Sequence, residues 1–132
     1  MRIQLTSVYV NDQAKALAFY TEKLGFVKSV DFTVGNYRWL TVVAPEEPKG
    51  VNLVLEANTN PAAAQYQKAI HDQGLPAANF FVSDIEAEVA RLKEKGVRFT
   101  QGPKKVTGST IALLEDGCGN LIQISQLQHP MG

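Results

Sequence analysis

Residues 10–25 read VNDQAKALAFYTEKLG and residues 82–97 read VSDIEAEVARLKEKGV. Placed one above the other, they share Val10/Val82, Asp12/Asp84, Ala18/Ala90, Glu22/Glu94 and Lys23/Lys95 in a single register. A repeat of this length is one supersecondary unit written twice, and it constrains the architecture before any single residue does. Both copies are amphipathic helices by their spacing: Ala16, Leu17, Tyr20 and Leu24 share one face, as do Ile85, Val89 and Leu92. Asp12 is placed to cap the first helix, Ser83 with Glu86 forms a capping box for the second, and Gly25 and Gly96 stand where a left-handed C-terminal residue belongs.

Working outward, each helix follows a short β-branched or aromatic run, QLTSVYV in the first copy and AANFFV in the second. Three more strand-like runs follow each: FVKSVDFTV, YRWLTVVA and VNLVLE, then VRFT, TIALLE and LIQISQL. Turn chemistry separates them at Gly35-Asn36, Pro45 to Gly50 and Asp116 to Asn120. The fold class is therefore α+β, two tandem βαβββ units in one domain. The first unit spans 1–58 and the second 76–128, and a connector helix over 60–73 opens at Asn60-Pro61 and closes at Gly74.

Composition narrows the function classes. The chain has 132 residues, 45% of them apolar and 20% charged, enough for one core without disulfides or a structural metal. With 13 Lys+Arg against 13 Asp+Glu and no basic cluster longer than Lys104-Lys105, no electrostatic footprint for nucleic acid is present. No apolar run is long enough for a membrane span, and the alternating start MRIQLTSVYV does not read as a signal peptide. The single cysteine, Cys118, allows no internal disulfide, so a reducing cytoplasm is the expected compartment. Cys118 is expected on an exposed turn as a tolerated residue. His71, near the end of the connector helix, is expected to meet free carbonyls there, and His129 falls in the tail.

The string V-x-D-x-x-x-A-x-x-FY-x-x-x-LGF from Val10 to Phe26, with the D-G-x-G-N turn at 116–120, strongly resembles the vicinal oxygen chelate superfamily. That group includes glyoxalase I, extradiol dioxygenases, fosfomycin-modifying enzymes and bleomycin-sequestering proteins. The resemblance covers essentially the whole chain, with one departure: Gly117 stands where the family turn usually has proline. It implies a cupped mixed sheet with helices outside and a cavity inside, and often a homodimer.

Strand alternation then assigns the cavity face. With Val8, Val10, Val51, Leu53, Leu55, Ala78, Phe80, Val82, Ile122 and Ile124 under the helices, the opposite face carries Leu5, Ser7, Tyr9, Asn52, Val54, Glu56, Ala77, Asn79, Phe81, Leu121, Gln123 and Ser125. The resemblance places the usual metal ligands of metal-dependent members at Leu5, Val54, Ala77 and Gln123, and three of those have no donor atom. No metal or other cofactor is therefore expected, a divalent ion being the alternative.

Ser7, Tyr9, Asn52, Asn79 and Gln123 make this face polar, and their groups either bond one another or meet a ligand. Tyr37, Trp39 and Phe81 are candidates to stack on a flat ligand or simply to pack, and Arg38 either pairs with a ligand anion or lies exposed. Glu56 is a candidate general base, a ligand-binding carboxylate, or a strand-end residue in solvent. The expected function is capture of a small organic molecule without metal, with Ser7, Tyr9, Trp39, Asn52, Glu56, Asn79, Phe81 and Gln123 as binding residues. The alternatives are a glyoxalase, lyase or dioxygenase type of enzyme, with an unconventional metal site or Glu56 as a metal-free base, and a vestigial cavity with a role in assembly.

Overall fold

A computed structural model of the chain describes residues 1–128. Both predicted units are present. The first runs β1 (Leu5–Val10), α1 (Gln13–Ala18, continued by a π-helical turn Phe19–Lys23), β2 (Val27–Val34), β3 (Tyr37–Val43) and β4 (Asn52–Ala57). The connector helix is α2 (Pro61–Asp72). The second unit runs β5 (Pro76–Phe81), α3 (Ile85–Glu94), β6 (Phe99–Val106), β7 (Ser109–Glu115) and β8 (Leu121–Leu127).

Each unit builds its own four-stranded mixed sheet, in the orders β1-β4-β3-β2 and β5-β8-β7-β6, with a parallel first pair and antiparallel pairs beyond it. No ladder joins the two sheets among the described residues, so the mixed sheet expected from the resemblance is built in two four-stranded halves, one from each unit. One core holds them together: Val8, Val10, Leu40, Val42, Leu53 and Leu55 from the first sheet, Leu114, Ile122 and Ile124 from the second, and Ala16, Tyr20, Ile85, Val89 and Leu92 from the helices. Across the seam, Phe80 meets Phe26 and Tyr20 edge to face, with ring centroids 5.1 and 6.5 Å apart.

The repeat also shows in how the helices end. Lys23 Nζ donates to Lys95 O at 2.8 Å and Lys95 Nζ donates to Glu22 O at 3.1 Å, so each helix's C-terminal carbonyls are capped by the equivalent lysine of the other. Asp12 caps α1 through Lys15 N, and Asn60 caps α2 through Ala62 N. For α3 the cap is Asp84, which accepts from Ala87 N, and not the expected Ser83. Both residues are good N-caps; the helix starts one residue later than the capping box requires because Ile85 N is already held by Gln126 Oε1 of β8 at 2.8 Å. Gly25 and Gly96 have φ of +88° and +84°, as their left-handed role requires.

Alternation along the strands holds at nearly every position that bears on the site. Val8, Val10, Leu53, Leu55, Ile122 and Ile124 lie in the core, and Leu5, Ser7, Tyr9, Asn79 and Phe81 are exposed on the other side. Val51 departs from this, because it precedes β4 and is half exposed.

Candidate functional site

The face of the first sheet that points away from the helices is built strand by strand. Leu40 and Val42 of β3 belong to the core, so Tyr37, Trp39, Thr41 and Val43 point the other way. Cross-strand pairing places Val30 opposite Thr41, Phe32 opposite Trp39 and Val34 opposite Tyr37. Phe32, Tyr37 and Trp39 therefore form one aromatic wall, with Phe32 53% and Tyr37 46% exposed and the Tyr37 and Trp39 rings 6.4 Å apart. Tyr37 and Trp39 are expected from the sequence and Phe32 is not. The alternation of Val30, Phe32 and Val34 carries its signal, but a bulge at Ser29, between Lys28 and Val30, shifts the phase of the run.

Next to this wall stand Ser7 and Tyr9 on β1 and Asn52, Val54 and Glu56 on β4, in register as Leu5 with Asn52, Ser7 with Val54 and Tyr9 with Glu56. Tyr37 OH donates to Glu56 Oε2 at 3.3 Å. Partial desolvation, then the Glu56 carboxylate, push the Tyr37 phenol above its ordinary pKa. The second sheet carries Asn79 and Phe81 on β5 beside Gln123 and Ser125 on β8, with Phe81 57% exposed.

The polar groups of both faces bond sideways before they meet anything else. Thr41 Oγ1 donates to Asn52 Oδ1 at 2.8 Å and accepts from Val30 N, and Asn52 Nδ2 donates to Gly50 O. Ser125 Oγ donates to Asn79 Oδ1 at 2.7 Å and accepts from Gln123 Nε2 at 3.1 Å. Neighbouring strands are close enough for a hydroxyl to reach an amide across the ladder, which a one-dimensional reading does not display. The side-chain amide of Asn79 and carbonyl of Gln123 keep bonding capacity on the open side.

Arg38 does not reach this face. Its guanidinium grips Asp31 in two hydrogen bonds of 2.9 Å on the helix side of the sheet, holding the Asp31 carboxyl below the usual carboxylate range. Three other expectations are corrected or fall away. Cys118 is fully buried, not exposed, because its turn folds under Asp12 and Gln67, and burial followed by Asp116 pushes its thiol up to about 11. At pH 7.5 such a thiol is ionised in roughly one molecule in three thousand, so labelling by a chromogenic disulfide is expected to be slow in buffer and immediate in guanidinium; fast native labelling would refute the burial. His71 pairs with Glu115 at 3.0 Å instead of with helix carbonyls, tying α2 to the end of β7. His129 lies outside the described residues.

The family's metal positions do not fit an ion here. Leu5, Val54 and Ala77 supply no donor, which leaves the single neutral amide of Gln123 at the four positions, and no three His, Cys, Asp or Glu gather among the described residues. A cavity of about 640 Å³ opens elsewhere, at the seam between the units, lined by residues that include Lys15, Phe19, Lys23, Lys95 and Arg98. It is the space around the reciprocal lysine caps already described.

Two βαβββ units with an aromatic and amide-lined open face define the chain's class: it belongs to the Glyoxalase/Bleomycin resistance protein/Dioxygenase superfamily, whose sequence pattern matches residues 2–124. Among individual proteins it is 55% identical to YurT of Bacillus subtilis (strain 168) over 126 residues, covering 96% of this chain and 99% of that protein. The crystal structure of UcmS2 superposes with a TM-score of 0.82 at 35% identity, covering 95% of this chain and 97% of that one. TnmS3, an antibiotic binding protein from Streptomyces sp. CB03234, superposes with a TM-score of 0.77 at 31% identity over 97% of both chains. No helix among the described residues is long and apolar enough to cross a membrane.

Proposed function

We propose that this protein binds a small organic molecule against the open faces of its sheets, without the divalent ion that metal-dependent relatives use, and that it does so as a homodimer. The aromatic wall of Phe32, Tyr37 and Trp39 carries the reading: large apolar side chains are held half exposed by a rigid sheet, next to amide and hydroxyl groups with unused hydrogen-bonding capacity. Such a surface loses free energy to water and regains it when a flat partner covers it, while a few polar groups set the partner's orientation. Ser7, Tyr9, Trp39, Asn52, Glu56, Asn79, Phe81 and Gln123 are the contacts we assign to this role.

The need for a second copy follows from the same exposure. Among the described residues no ladder joins the two sheets, and exposed apolar side chains stand on the open faces of both. A partner chain laid over them buries that surface and encloses the bound molecule. The antibiotic-binding relative supports the ligand class, and the missing donors at Leu5, Val54 and Ala77 support a role that needs no ion.

A thermal-shift screen against aromatic antibiotics, thiol conjugates and catechols tests the reading. At a hundredfold excess over Kd a ligand adds about 2.7 kcal/mol, a rise on the order of 10 °C for a domain of this size. Trp39→Ala is expected to abolish the shift while leaving the unliganded melting temperature within a few degrees; silence from every class counts against a ligand role. Calorimetric titration with nickel, zinc, manganese and iron is expected to show no stoichiometric binding. Micromolar binding that disappears in Glu56→Ala would move the protein to the enzyme class.

A further inference from the structure

Charge is sorted between the two faces of the first sheet. On the helix side Lys28 and Arg38 share Asp31, with Lys28 Nζ 3.5 Å and Arg38 Nη2 2.9 Å from its carboxylate. On the open side every side chain in phase is uncharged, from Leu5, Ser7 and Tyr9 through Phe32, Tyr37 and Trp39 to Asn52 and Val54, except Glu56. Glu56 has no cation within 4 Å among the described residues, and its one side-chain partner is the Tyr37 hydroxyl.

We infer that the molecule this face takes up is a planar aromatic carrying a positive charge, and that Glu56 is the residue that selects it. The inference rests on the small-molecule reading above. A half-buried carboxylate without a counter-ion favours whichever ligand supplies one, and the cost of bringing an anion to the same place works in the opposite direction. The surroundings act the same way. Tyr9 is the parallel-register neighbour of Glu56, Tyr37 holds its carboxylate, and Trp39 adjoins Tyr37, so a cation placed at Glu56 sits among aromatic faces that attract it as well. A flat delocalised cation stacks along the whole wall as well as meeting the carboxylate, whereas an alkyl ammonium covers little of that apolar surface. Tyr37 is a positioning residue, because its hydrogen bond fixes one carboxylate oxygen and leaves the other without a side-chain partner among the described residues.

Two charged groups lie on the open side of the second sheet. Glu115 is already engaged by His71, and Lys104 stands on the edge strand β6 opposite Ile111. In a dimer, a cation of the second copy would compete for Glu56, Lys104 being the candidate on the open side of the second sheet, and the experiment separates the two cases.

Trp39 is the chain's single tryptophan, so its emission reports on this face alone. The intact protein is titrated at pH 7 with three ligands of one footprint: 9-aminoacridine as the cation, acridone as the neutral form and acridine-9-carboxylate as the anion. Saturable quenching is expected with the cation at least about tenfold tighter than acridone and the anion weakest, and Glu56→Gln is expected to bring the affinities for cation and acridone to within about twofold of each other. Equal affinity of acridone and 9-aminoacridine for the unmodified protein would overturn the charge selection and leave the small-molecule reading standing. Absence of quenching by all three would overturn both. Glu56→Gln that loosens the dimer on size-exclusion chromatography while the charge preference stays would assign the carboxylate to an ion pair between copies, and the inference fails.

Discussion

Asp116→Ala is expected to destabilise the protein by about 3–5 kcal/mol, because four donors lose their acceptor at once in a place water does not reach. Asp116 is 1% exposed. Its Oδ2 accepts from Tyr20 OH at 2.7 Å and Asn120 Nδ2 at 2.8 Å, and its Oδ1 accepts from the backbone N–H of Cys118 at 2.7 Å and of Asn120 at 3.0 Å. The carboxylate thus closes its own turn and pins α1 of the first unit to the second. Burial, followed by this carboxylate, holds the Tyr20 hydroxyl well above its ordinary pKa, so it remains a donor across the whole working range. Urea denaturation with an unchanged m-value checks the figure. Tyr20→Phe removes only one of the four bonds and is expected to cost about 1 kcal/mol. A loss below 1 kcal/mol for Asp116→Ala would mean that the turn's glycines alone hold it.

Gly119→Ala comes next, at about 2–4 kcal/mol, from two separable causes. Its φ is +99°, a conformation that L side chains rarely adopt, and an added Cβ would stand 2.6 Å from Gln67 Nε2 and 3.0 Å from Gln67 Cδ. Gln67 cannot step aside freely. It is 5% exposed, its Nε2 lies 2.9 Å from Tyr9 O and 3.0 Å from Cys118 O, and its Oε1 accepts from Asn58 Nδ2 at 2.7 Å. The double variant with Gln67→Ala separates the terms. Once the clash is gone, Gly119→Ala is expected to cost only the backbone share, about 1 kcal/mol. Equal cost in both backgrounds would show that the close approach to Gln67 contributes nothing.

Both residues belong to the D-G-x-G-N turn, which the sequence marks as a turn and as a family signature without saying why each position matters. The glycines were legible as turn residues, but the acid at position 116 reads as an ordinary turn starter. Its partner Tyr20 lies 96 positions away, and no local pattern connects them. The same limit explains Cys118, whose burial depends on α1 and α2 closing over the turn, and His71, whose acceptor arrives from the end of β7. The helix ends were better marked, since capping uses side chains within three residues; even there, Asp84 displaced Ser83 because Gln126 of a distant strand had taken Ile85 N.

The candidate site divides in the same way. Period-two alternation is a local property of an extended chain, so Ser7, Tyr9, Trp39, Asn52, Glu56, Asn79, Phe81 and Gln123 could be assigned to one side of their strands from the order of residues. Which of them touch is set by ladder register, and that register joined Phe32 to Trp39, Tyr37 to Glu56 and Ser125 to Asn79.

The amino-acid order by itself determined the twofold βαβββ plan, the helix faces, most of the caps and the lack of a donor at three of the family's four metal positions, because each of these follows from periodicity or from side-chain chemistry at one place. Only the tertiary structure decided that the two sheets stay separate, that Asp116 and Gln67 lock the seam, and that Glu56 stands on an aromatic face without a counter-ion among the described residues. Those features arise where segments far apart in the chain are brought within a few ångströms, and distance in space is not written in distance along the sequence.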